Sequence, residues 1–194
     1  MDSQTVLDFW FAGSPLGDEQ MARWWQKNDD VDQTIRDRFA QVVDDVHQWL
    51  GDQWSSSAEG CLAAIICLDQ FPRNMYREQP ESFQYDAAAL RLCKQGLKLQ
   101  YHQSLSVLEQ SFFVMPLMHS ESMTDQQESV VQFSRLVNEA DESFKGYLAG
   151  SKKFAEQHRD IIARFGRYPH RNSILGREST EGEKMFLTQP GSSF

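Results

Sequence analysis

Apolar residues in this chain recur every three or four positions and almost never alternate, a pattern that restricts it to helices. Val31, Ile35, Phe39, Val42, Val43, Val46 and Leu50 form one such stripe, with Asp29 or Asp30 placed to cap its start. Ser57 opens the next helix, which Leu62, Ile65, Ile66 and Leu68 carry towards Pro72. Proline lacks an N–H and collides with the preceding turn, so this helix is expected to end or kink over residues 69–71. A further helix after Pro80 runs through Phe83, Ala87, Leu90 and Leu97, and another covers 105–119 with Pro116 as a kink or stop. Thr124-Asp125-Gln126-Gln127 has the form of a capping box for a helix that buries Val130, Val131, Phe133 and Leu136 or Val137. A longer helix spans 143–165 and ends at Gly166, a residue suited to the left-handed conformation that closes helices. Thr180-Glu181-Gly182-Glu183 is a second capping box, before a short tail helix with Met185, Phe186 and Leu187, and a short aromatic helix lies near 6–11. Strand signals are weak, because no turn dipeptide sits between alternating apolar runs. The reading is an all-α fold of antiparallel helical pairs in a single domain over 1–194, with Gly191-Ser192-Ser193-Phe194 as a frayed end.

Charge and cysteine usage narrow the function classes. With 28 acidic against 19 basic residues the net charge is -9, which repels a phosphate backbone, so no nucleic-acid partner is expected. Cys61, Cys67 and Cys93 sit in apolar runs without a CxxC pair and are expected as buried reduced thiols. Met1-Asp2-Ser3-Gln4 lacks a basic leader region, and no run approaches a membrane-spanning length. No membrane association and a cytoplasmic location are therefore expected. Walker, GxGxxG, GxSxG and zincin patterns are absent from the sequence, which lowers nucleotide-driven and serine-hydrolase chemistry.

One internal echo stands out. Phe71-Pro72-Arg73-Asn74 is followed by Arg77, and Tyr168-Pro169-His170-Arg171-Asn172 is followed by Arg177. Proline stops a helix, the ring packs and asparagine caps a turn, but helix ends do not require guanidinium.

These motifs, together with Val6-Leu7-Asp8-Phe9-Trp10-Phe11, Leu68-Asp69-Gln70, Pro116 with His119-Ser120-Glu121, Phe165-Gly166-Arg167, Leu175-Gly176-Arg177 and Ser179-Thr180, carry a resemblance over almost the whole chain. The chain resembles the mainly bacterial domain-of-unknown-function family nine-twenty-four. The resemblance implies a helical fold similar to tetratricopeptide-repeat domains and brings no activity with it. The sequence itself shows helix pairs but no clean repeat at tetratricopeptide spacing.

Residues 158–177 hold five arginines, with only Asp160 opposing them. Arginine is the side chain best suited to grip carboxylate or phosphate in a fork. Should the two echoes fold side by side, Asp69, Arg73, Asn74, Arg77, His158, Arg167, Arg171, Asn172 and Arg177 would line an anion-binding pocket for a small anionic molecule or an acidic peptide terminus. The alternative is a set of internal pairs, with Asp69, Asp86 and Glu121 as the acids. His119 with Glu121 as its orienter, or His170, is the candidate acid–base group of a small enzyme acting on an anionic substrate. Histidine and glutamate two apart do not share the face of a regular helix, but at a helix end they could converge, with His158 or His170 as further ligands of a metal; the zinc spacings are missing, so no metal ligand is assigned. The aromatic cluster Phe9, Trp10, Phe11, Trp24 and Trp25 reads as core. Three functions follow: a binding module for anions, a small enzyme, or a structural protein whose motifs only lock helices. Cofactor and oligomeric state do not follow from the sequence.

Overall fold

The computed structural model describes residues 1–193, so the expectation for Phe194 lies outside the described residues. The chain is all-α, with no strand among the described residues. It folds into two compact units. The first comprises Met1–Arg77 and Glu81–Pro116, and the second runs from Leu117 and includes Glu78–Pro80. No helix among the described residues is long and apolar enough to cross a membrane.

The first unit starts with α1 (Ser3–Trp10), where the Asp2 carboxylate accepts the Thr5 N–H. The sequence pattern missed α2 (Asp18–Trp25), because its polar residues bury only Gln20 and Trp24. Asn28, not Asp29 or Asp30, caps α3 (Asp29–Asp45) by accepting the N–H groups of Asp30 and Val31. A π-turn at Val46–Leu50 carries that helix into α4 (Gly51–Trp54). Ser57 caps α5 (Ala58–Ile65). A second π-turn, Ile66–Gln70, then leads into α6 (Phe71–Met75). Pro72 therefore does not break the chain's helical course. The Phe71 N–H reaches back five residues to the Ile66 carbonyl, and this wider turn re-phases the helix so that Pro72 falls in a first turn, where proline costs least. The remainder is α7 (Asp86–Lys98) and α8 (Val107–Phe113), the latter opened by a Ser106–Glu109 capping box. A Cβ at Gly96 would come within 2.4 Å of the Phe113 ring, so glycine is what lets α7 approach α8. The core is aromatic: Phe71 lies 4.8 Å from Phe39 and 5.7 Å from Trp10, which itself meets Phe112 at 5.7 Å.

The boundary between the units falls within α9 (Met115–His119). The second unit is built on α10 (Met123–Glu139) and α11 (Glu142–Phe165), packed along each other across a short connection. Gly166 closes α11 at φ +69, in the left-handed region. Thr180 and Glu183 form the expected capping box of α12 (Glu181–Leu187). The other expected box does not form. α10 starts two positions earlier, after Ser122, and its buried stripe is Asp125, Gln126, Ser129, Phe133 and Leu136, while Val131 is 59% exposed. Near the C-terminus Ser192 is buried and donates to the Leu187 carbonyl.

Candidate functional site

The residues singled out in the sequence fall into two sets, one in each unit. Asp69, Arg73, Asn74 and Arg77 belong to the first unit, and His119, Glu121, His158, Arg167, His170, Arg171, Asn172 and Arg177 to the second.

In the first unit the motif folds onto acids. The π-turn before α6 holds Asp69 wholly buried, where it accepts from the Gln70 amide at 2.6 Å. Arg73, one turn on, donates to the Asp69 carbonyl and forks onto Asp86 at 2.9 and 3.1 Å. Asn74 and Arg77 both reach Asp32 of α3: the Asn74 amide at 2.8 Å, the Arg77 Nε at 2.5 Å and its Nη2 at 2.8 Å. Burial alone would raise the Asp32 carboxyl, but the Arg77 and Asn74 hydrogen bonds more than offset it and hold it below the usual carboxylate range.

In the second unit Tyr168 is the centre. Its ring is fully buried and stands 5.5 Å from His158 and 5.5 Å from His170, with the Arg171 guanidinium 4.5 Å over its face. Its hydroxyl donates to the Met118 carbonyl at 2.5 Å and accepts from the Gln126 amide at 2.7 Å. That same amide lies 2.6 Å from the Ser120 carbonyl, so α10 clasps the segment that carries His119. Glu121 accepts the Tyr168 N–H at 2.8 Å and the Arg177 fork at 2.7 and 3.0 Å. Arg171 donates to the His119 carbonyl at 3.1 Å. Asn172 is buried and donates to the Ser179 hydroxyl at 3.1 Å, while Arg167 forks onto Glu183 at 2.7 and 2.8 Å.

Burial, reinforced by nearby His119, Arg171 and His170, pushes His158 down to about 3, and its Nδ1–H donates to the Phe154 carbonyl at 2.8 Å. Burial and Arg171 push His170 down to about 4. The Arg167 fork draws Glu183 down to about 2, and Arg177 with the Tyr168 N–H holds Glu121 low against its own burial. An unfolded chain takes up protons on these histidines below about 6.5, whereas the folded chain resists until about 4 or 3. Folding stability should therefore fall as pH drops from about 6.5 towards 4, and fall further as the carboxylates protonate. Melting temperature measured against pH checks this: the H158Q/H170Q double variant should flatten the upper part of that decline, and an unchanged slope would contradict it.

These histidines and arginines can in principle receive a negative group or move a proton, yet no group of three His, Cys, Asp or Glu able to hold a metal occurs among the described residues. All three cysteines are buried and outside any disulfide, and burial raises the Cys61 thiol to about 12, which keeps it from acting as a thiolate. Sequence reasoning overlooked Asp32, Gln126 and Glu183. The signal for Asp32 was its place on the apolar stripe, three before Ile35 and seven before Phe39. Gln126 was likewise seven before Phe133.

Residues 6–191 match the family model described as a bacterial protein of unknown function, DUF924. A solved structure of a protein of unknown function from Agrobacterium tumefaciens is similar, with a TM-score of 0.83 and 31% identity, covering 95% of this chain and 96% of that one. No curated protein matches the chain.

Proposed function

This chain belongs to the bacterial family of unknown function DUF924, and from that premise we propose that it is a helical interaction scaffold whose arginine motifs act inward, as latches on helix ends. One observation carries the reading: Arg77 and Arg177, the last arginines of the two echoes, each fork onto a single carboxylate of their own unit. A guanidinium held in that way is already neutralised, and replacing it leaves an acid, buried Asp32 or half-buried Glu121, without its cation. The test is an R177A variant beside a panel of phosphate, citrate and acidic peptides. The latch reading expects the variant to lose about 2 kcal/mol of stability, with no panel member raising the wild-type melting temperature.

A second reading is supported by the gathering of His158, His170 and Arg171 around Tyr168, with His119 near enough to His158 to act on its charge. Here the second unit takes a small anion or acidic peptide terminus, with Arg171 holding the charge and His119, Glu121 or His170 in acid–base roles. A panel anion that stabilises the wild type but not R171A would favour this reading over the latch. Peptide binding by tetratricopeptide-like grooves supports it by fold analogy only.

A further inference from the structure

The loop that joins α11 to α12 is framed by two glycines in the left-handed region, Gly166 at φ +69 and Gly176 at φ +64. Past Arg167, which stays on Glu183, residues 168–175 cross the polar centre of the second unit. Among the described residues, no backbone–backbone hydrogen bond ties this stretch to a remote element. Its own close over short spans, as from the Arg171 N–H to the Tyr168 carbonyl and from the Arg177 N–H to the Asn172 carbonyl. Side chains hold it down instead. Glu121 accepts the Tyr168 N–H, the Tyr168 hydroxyl joins the Met118 carbonyl to the Gln126 amide, Arg171 reaches the His119 carbonyl, and Asn172 donates to Ser179.

Closing this stretch strands polar atoms. Gln126 and Asn172 are wholly buried, yet the Gln126 Oε1 and the Asn172 Oδ1 have no hydrogen-bond partner among the described residues, and neither has the buried Nε of Arg177. A buried polar atom without a partner forfeits its hydration. All three atoms regain water when the stretch lifts, which offsets part of the cost of exposing the Tyr168 ring. A segment held by side chains, hinged at both ends and relieved of buried unpaired atoms on opening has the properties of a locally opening unit. We propose that residues 168–175 form a strap that swings open on Gly166 and Gly176 while α10 and α11 stay folded. Opening uncovers the Gln126 amide and the His158 ring, which stands 5.5 Å from Tyr168 in the closed form. The inference rests on neither reading of the function.

The test is hydrogen exchange of the full chain in low urea, read at the Tyr168 amide against the slowest amides of α10 and α11. The Tyr168 amide, bonded to Glu121 across the strap's contact, should exchange about 10-fold faster or more, with a shallow urea slope. Gly176→Ala penalises the closed backbone alone, since its methyl would meet nothing within 4 Å, and should speed Tyr168 exchange about 10-fold. Leu148→Val alters a fully buried site on α11, thirteen residues before Ile161. It should speed the slowest amides and leave Tyr168 unchanged, because that site stays packed when only the strap opens. Should this variant not fold, the urea slopes of the wild type decide. Equal acceleration of both groups by Leu148→Val, a Tyr168 slope as steep as that of the slowest amides, or no response to Gly176→Ala would overturn the proposal.

Discussion

Asp32→Ala should cost about 3 kcal/mol of folding stability, far more than the loss of an ordinary helical aspartate. Its side chain is 5% exposed and receives both the Arg77 fork and the Asn74 amide. Deleting the carboxylate strips Asn74 of its partner in a buried setting and leaves Arg77 unpaired. Arg77, at 35% side-chain exposure, can turn partly to water, which keeps the cost at the lower end for a broken buried pair. Asp32→Asn should retain part of the Asn74 contact and cost less. Urea denaturation measures both, and a double-variant cycle with Arg77→Ala isolates the coupling. A coupling near zero would remove Asp32 as the acid that anchors the first motif.

Tyr168→Ala should be costlier still, at about 4 kcal/mol, because it empties a fully buried ring site and frees the groups packed on it together. The ring packs against Ile161 and Ile162, carries Arg171 on its face and spaces His158 from His170. Tyr168→Phe keeps that packing and removes only the hydroxyl that joins the Met118 carbonyl to the Gln126 amide, so it should cost about 1–2 kcal/mol. Hydrogen exchange at α10 and α11 would show where the loss falls: the alanine variant should lower protection throughout the second unit, the phenylalanine variant chiefly near Gln126. Equal effects from the two substitutions would mean that the hydroxyl, not the ring, holds the unit.

Local features of the chain were legible wherever a single segment carries its own signal. Ser57 and Thr180 cap their helices and Gly166 ends α11, because capping depends on atoms three or four residues away. Where two local signals competed, neighbours decided. Thr124 had the form of a cap, yet α10 starts after Ser122, because Gln126 is drawn inward to the Met118 and Ser120 carbonyls and to Tyr168. Pro72 had the form of a stop or a kink over residues 69–71, and the π-turn Ile66–Gln70 before it absorbs the misfit.

By itself, then, the sequence determined that the chain is helical, where most helices begin and end, and which aromatic, arginine and asparagine residues recur together. Only the tertiary structure decided which acid each arginine meets, since Asp32 lies 45 residues before Arg77 and Glu121 lies 56 before Arg177. Helical periodicity is written in short-range spacing, whereas ion pairing depends on distances that exist only after remote segments have packed.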